Sequence, residues 1–177
     1  MGFEMVTPMS DIDRQIDEQV ERQKRVLVRH LQITGEEVVN TARSLPGPSL
    51  SVFWDSETGQ PLRNIPKHTP NYIDWTANLR SSIGYVIVVD GKVVKRSSFS
   101  PIRGREGDGS QGAKEGKEFA ERLAAQFPSG VALIVVAGMH YAKYVQKRGY
   151  DVTITAEHVA SKLMYKLGMP NIKHISE

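Results

Sequence analysis

The chain contains no cysteine, which removes disulfides, cysteine-ligated zinc, thiol nucleophiles and iron–sulfur clusters from the available chemistry. Nor does it hold a run of about 18 apolar residues of the kind that spans a bilayer. Its longest apolar runs, Tyr85 to Val89 and Val131 to Ala137, have the length of strands. Met1 to Ser10 lacks a basic cluster followed by an apolar stretch and a cleavage site, so no secretory signal is expected and the protein is expected to stay in the cytosol. Charge of one sign is not in excess either. Lys plus Arg is 23 and Asp plus Glu is 20, a net +3 that is thin for a dedicated nucleic-acid binder. What remains is ordinary: 177 residues, 40% hydrophobic and 24% charged, the make-up of one soluble globular domain.

From Asp11 to Gln32 the apolar residues Ile12, Ile16, Val20, Leu27 and Leu31 fall within about 100° on a helical wheel. A helix of that length reaches about 33 Å, long against the radius of gyration of about 16 Å expected for such a chain, so part of it should protrude. Ser10 is the expected N-cap, with acidic residues near the start and Arg22, Lys24, Arg25 and Arg29 toward the end. Thr34-Gly35-Glu36-Glu37 reads as a break followed by a capping box, opening a second helix to about Arg43 that Pro46 stops. Residues 50–72 read as a proline-rich loop or loose hairpin. Thr76 can cap a short turn carrying Leu79 and Ile83. Asp90-Gly91 between Tyr85–Val89 and Val93–Val94 predicts a two-residue hairpin. Residues 97–112, rich in Gly, Ser and Arg, read as a mobile loop, and 113–127 as an amphipathic helix. Val131–Ala137, apolar on both faces, reads as a central strand. A short helix over 140–148 closed by Gly149, a strand over 151–155, and a helix capped by Thr155 and ended by Gly168 complete the pattern.

Chemistry-bearing motifs are sparse. Gly107-Asp108-Gly109-Ser110-Gln111-Gly112 matches GxGxxG just before a helix, where backbone amides could cradle a phosphate. The dinucleotide fingerprint also needs a buried strand directly before it and an acidic residue at the end of the next strand. Ser100–Arg103 is not such a strand, and the following one ends at Gly138, so a surface loop is the plainer reading. His30, His68, His140, His158 and His174 have no metal-ligand spacing, and Asp74 and Asp151 are isolated in sequence. The basic residues of the first helix fit a solvated face better than a phosphate track. Tyr141, Tyr144 and Tyr150 fit a half-buried rim beside Val145 better than a base-stacking platform.

Three segments taken together form a series: Val38-Val39-Asn40-Thr41-Ala42-Arg43 before Pro46, then Thr76-Ala77-Asn78-Leu79-Arg80-Ser81-Ser82-Ile83, then Tyr141-Ala142-Lys143-Tyr144-Val145-Gln146-Lys147-Arg148-Gly149. The series resembles the head–tail joining, or tail-completion, proteins of long-tailed bacteriophages over about half the chain. The positions that carry the resemblance are Thr76, Leu79, Arg80, Ser82, Ile83, Tyr141, Ala142, Tyr144, Val145 and Gly149. Ala77 stands where that family usually has glycine and Gln146 where it has glutamate; its Pro-Phe-Leu stretch before the last helix is absent.

The resemblance implies a structural neck protein of a phage or prophage virion and no enzyme, catalytic residue, cofactor or metal. It implies other copies of the chain in a ring, with head-completion or connector proteins and tail proteins as neighbours. Genomic DNA would pass through the lumen without specific binding, and no membrane would be involved. The location implied is the virion, and the host cytoplasm during assembly. The expected fold is α+β: a small, mainly antiparallel sheet from 84–98, 131–137 and 151–155, packed by a long N-terminal and a C-terminal helix. It is expected as a single domain over 1–177, with a flexible N-terminus at 1–10 and insertions at 50–72 and 97–127 that bring loops and one helix. Two alternatives stay open, a small cytosolic enzyme holding a phosphorylated ligand at the glycine-rich loop and a basic-helix nucleic-acid binder.

Overall fold

A strand apolar on both faces has to be covered on both, and Ile83–Val89 (β1) is such a strand, with six of its seven residues buried. The computed structural model describes residues 8–45, 72 and 74–168. In it β1 is the middle strand of a three-stranded antiparallel sheet, flanked by Lys92–Arg96 (β2) and Val131–Ala137 (β3). Asp90 and Gly91 join β1 to β2 with φ of 48° and 79°, the left-handed pair that the Asp-Gly dipeptide predicts. β3 is therefore an edge strand and not the expected central one. Its two-sided apolar run is nonetheless explained, because Val131, Leu133, Val135 and Ala137 face one helical layer and Ala132, Ile134 and Val136 the other.

The first layer is Met9–Ser44 (α1) with the C-terminal helix Ile154–Lys166 (named α5 in chain order below). Leu31, Val38, Val39 and Ala42 of α1 pack with Ile83, Tyr85, Ile87 and Ala156. The break expected at Thr34–Gly35 is absent and one helix runs through. The reason is packing. Gly35 lies against the Tyr85 ring, where an added Cβ would stand 2.8 Å from Cγ, and the Tyr85 hydroxyl donates to Glu36 Oε1 at 2.8 Å. A helical glycine costs about 1 kcal/mol, less than the roughly 1.5–3 kcal/mol from burying a large side chain. At its start α1 follows Pro8 without a side-chain cap, so Ser10 is not the N-cap.

The second layer is Ser110–Ala124 (α3), whose Ala120, Leu123 and Ala124 pack with Phe99 on Val86, Val88, Ile134 and Val136. This is the helix expected over 113–127, beginning three residues earlier. The segment 97–127 thus supplies the whole cover of one sheet face. A third cluster joins Leu79 of Asn78–Ser81 (α2) and Ala142 of Ala142–Lys147 (α4) to Tyr72, Met139 and Val152. The strand expected over 151–155 does not form. Val152 is buried in the third cluster, while the Asp151 carboxylate accepts the Thr155 N–H at 3.2 Å. This local bond competes with a strand ladder, and α5 begins at Ile154, placing Thr155 inside its first turn and not at its cap. Gly149 and Gly168, with φ of 90° and 70°, follow α4 and α5 as expected of C-terminal glycines. The fold is α+β, a small antiparallel sheet with a long N-terminal and a C-terminal helix. The loop expected over 50–72 lies outside the described residues except for Tyr72, as do residues 1–7 of the expected flexible N-terminus.

The layers close tightly because α3 meets the α2–β1 junction through glycine. An added Cβ at Gly112 would collide with the Asn78 backbone and one at Gly116 with the Ser82 backbone, while Gly138 rests on Gly116 itself. Gly116→Ala should therefore lower the unfolding free energy by about 2 kcal/mol in urea titration, although alanine is the better helix former. Gly130→Ala, where φ is 80° but no atom lies within 4 Å, should cost only about 1 kcal/mol. A stabilised Gly116→Ala protein would contradict the packing described.

Candidate functional site

The resemblance positions converge on the junction between α2 and β1. Ala77 adopts the left-handed conformation, φ 58°, and turns the chain into α2. Thr76 Oγ accepts the Asn78 N–H at 3.3 Å, but the cap position itself is Ala77, so Thr76 is not the expected N-cap. Ser81 and Ser82 are fully buried, and buried hydroxyls need partners. Ser82 Oγ donates to the Leu79 carbonyl at 2.7 Å and accepts the Met139 N–H at 3.3 Å. The Ser82 carbonyl accepts the Gly138 N–H at 3.2 Å, and Ser81 Oγ accepts the Ile102 N–H at 2.9 Å. From α1, Arg43 donates to the Ile83 carbonyl through Nε at 3.1 Å and Nη2 at 2.8 Å. Burial pulls its guanidinium below the usual value. Three separate parts of the chain are thus fastened to three consecutive residues.

The second motif packs on the first. Leu79 and Ala142 share the third cluster, with Tyr141 and Val145 half-buried around it. Burial raises the Tyr141 phenol above its usual value. Arg80 Nε lies 3.0 Å from Asp74 Oδ2, an ion pair in which the N–H is not aligned for a hydrogen bond. Burial raises the Asp74 carboxyl above its ordinary value, and Arg80 opposes that rise in part. Burial likewise raises the Tyr72 phenol. Its hydroxyl is buried without a hydrogen-bond partner among the described residues. Thr76, Leu79, Arg80, Ser82, Tyr141, Ala142 and Val145 therefore gather around one junction, while Ile83 turns to the α1 side. Tyr144 stands apart, 68% exposed beneath the Arg148 guanidinium, and Gly149 ends α4 in open space. The ties made by Arg43 and Asp74 were not legible in the sequence; nothing in the spacing of an isolated aspartate points to Arg80.

The glycine-rich loop is fastened to the same junction and not left mobile as expected. Gly104 N–H bonds Gly107 O at 2.8 Å and Glu106 N–H bonds Trp75 O at 3.1 Å. An added Cβ at Gly107 would lie 2.9 Å from Thr76 O, and one at Gly109 would collide with Ser81 and Ile102. Two of the amides that open α3 are already engaged: Ser110 N–H with Asp108 Oδ1 at 2.9 Å and Gly112 N–H with Asn78 Oδ1 at 3.2 Å. Residues 97–109 contain no strand, so the element that a dinucleotide fingerprint requires before it is missing. Alanine replacement of these glycines would disturb packing whether or not a ligand binds.

Elsewhere the chemistry is equally dispersed. His30, His140 and His158 are exposed, and no group of three or more His, Asp or Glu that could hold a metal occurs among the described residues. A shallow depression of about 490 Å³ on α5, lined by Ser161, Lys162, Tyr165 and Lys166, gathers no acid–base pair. Of the basic residues in α1, Lys24 bonds Asp90 at 2.9 Å and Glu21 at 3.1 Å, tying the helix to the hairpin turn. Beyond that tie the outer half of α1 leaves the body. Ile12, Ile16 and Val20, part of the predicted apolar face, are exposed, as is Met9 before them. No helix among the described residues is long and apolar enough to cross a membrane. No family model, curated protein or solved structure matches the chain.

Two measurements probe this junction. Arg43→Met would leave the Ser81 and Ile83 carbonyls without their guanidinium donor and should cost about 1–3 kcal/mol of unfolding free energy. A carboxyl that binds its proton more tightly in the folded chain stabilises the fold below the unfolded value, near 3.8, and loses that contribution as pH rises through the elevated folded value. The melting temperature of the natural protein, measured relative to Asp74→Asn, should accordingly fall as pH rises through that window. A difference that grows with pH would contradict it.

Proposed function

We propose that the chain is a structural subunit of a phage or prophage virion, joining head and tail as one member of a neck or tail-completion ring. The observation that carries the reading is the outer half of α1, a helix bearing an apolar stripe that stands exposed among the described residues. A subunit that works by contact needs such a surface. The resemblance of Thr76–Ile83 and Tyr141–Gly149 to the head–tail joining family supports the same reading, and the two segments sit against each other in one scaffold. Copies of the same chain, a connector or head-completion protein and a tail protein would be the partners. DNA would pass the ring without specific binding.

No comparable observation favours an enzyme: two amides of the glycine-rich loop, those of Ser110 and Gly112, are bonded to Asp108 and Asn78. The basic residues of α1 offer no dense patch to a nucleic acid.

Deleting the gene from an inducible prophage tests the reading. DNA-filled heads and separate tails should accumulate, and supplying the protein in trans should restore joined particles. Normal yields of intact, infectious virions lacking this chain would overturn it.

A further inference from the structure

We propose that the free half of α1 docks along β2 of a second copy of this chain, so that each subunit both gives a helix and receives one. The inference rests on the self-association in the functional reading above and names the two surfaces that meet.

The first surface is the helix beyond Lys24. Ile16 and Val20 are 55% and 45% exposed and continue the seam that Leu27 and Leu31 bury farther along the same helix. Asp13, Asp17 and Glu21 follow one another at four-residue spacing, which aligns them along one flank of that stripe. Asp13 and Asp17 have no ion pair among the described residues. The helix thus offers an apolar seam edged by acid.

The second surface is β2. All five of its residues are exposed, Val93 and Val94 at 42% and 44%. The helical layer of α1 and α5 lies over β1 and β3 and stops short of β2. A register shift decides the charge of the uncovered face. Lys92 pairs with Val89 and Lys95 with Ile87, leaving Val94 as the extra residue of a bulge. Residues opposite each other share a face, and Ile87 belongs to the α1 side. Lys92 and Lys95 therefore both stand on the uncovered α1 side, where an unbulged strand would have separated them. Neither has an ion pair among the described residues, whereas Arg96, on the other side, is matched by Glu121 at 3.2 Å. The acids from Asp13 to Glu21 extend over about 12 Å of helix, and Lys92 to Lys95 over about 10 Å of strand. Val93 stands opposite Val88 and so shares the α3 side, which leaves the match to charge: acid meets base at similar length.

A rigid helix leading away past the hairpin turn cannot bend back to its own β2. Because giver and receiver are different surfaces, the contact is head-to-tail and propagates from copy to copy, closing into a ring where the rotation permits.

The absence of cysteine makes the test clean. Ile16→Cys and Val94→Cys proteins, distinguished by a mass tag, are mixed and oxidised. The mixed disulfide should dominate, and the double variant should give a ladder of covalent multimers. Replacing Asp13 and Asp17 by Lys should slow the mixed cross-link about tenfold, as should replacing Lys92 and Lys95 by Glu, and combining the two sets should restore it. Dominance of the disulfide between two I16C chains would mean two-fold pairing of helices and overturn the proposal. So would the absence of any cross-link in variants with unchanged circular dichroism. Slow alkylation of I16C in dilute monomer would mean that the chain covers its own stripe, and would overturn it too. Failure of cross-linking while the chain is still required for joined virions refutes only this contact. Cross-linking by a chain the virion does not need refutes only the virion role.

Discussion

Ser81, Ser82 and Ile83 form the constraint from which the rest of the structure follows. Their backbone and hydroxyl groups are buried where α1, the 97–109 loop and the β3–α4 turn arrive, each fixed by a bond to one of them, while α3 packs against the Ser82 backbone through Gly116. A hydrogen bond between buried groups adds only about 1 kcal/mol net, but leaving one unmade costs more. Displacing any of the three bonded elements would orphan such groups on both sides of the contact. The glycines at 109, 112, 116 and 138 are the steric side of the same arrangement, since only hydrogen fits where the backbones meet. The result is a body whose polar groups are spent on its own architecture, and whose uncommitted chemistry lies at its periphery.

That periphery divides by charge and by element. The long helix has an anchored half, with Leu31, Val38, Val39 and Ala42 in the core, and a free half with apolar residues of the same face in solvent. Lys24 and Asp90 mark the division. On the sheet the division falls between β1, buried nearly throughout, and β2, exposed throughout. The free half of α1 and β2 thus both present exposed apolar side chains on regular elements, which define geometry more sharply than loops do.

Much of this was readable from residue order. The Asp90-Gly91 hairpin, the two-faced apolar run of β3, the glycines that follow α4 and α5, and the apolar face of α1 all stand where their local chemistry placed them. The misreadings share a cause, which is that a local signal was outvoted by a distant partner. Gly35 looks like a helix stop and is a seat for the Tyr85 ring. Gly107 to Gly112 reads as a mobile surface loop and is the contact surface for Thr76, Asn78 and Ser81. Asp151 to Thr155 alternates like a strand, but Asp151 captures an amide of the following helix. At the junction the series from Thr76 to Ile83 marked the right residues, while Arg43 and Asp74 gained their partners only through the fold. No periodicity encodes a side chain that reaches across 40 positions to a carbonyl.

The division of α1 also bears on how its free half stays helical. A 15-residue helix alone in water is marginal, because forming its first turn is unfavourable by a factor of about a thousand. Here the first turn never has to form in isolation: the anchored residues are held by the sheet, and helix grows outward from them one residue at a time. Nucleation is settled by the body, and only propagation is left to the projecting segment. A partner would meet a segment already in shape, and the ordering entropy that usually weakens recognition by an extended arm would have been met when the chain folded.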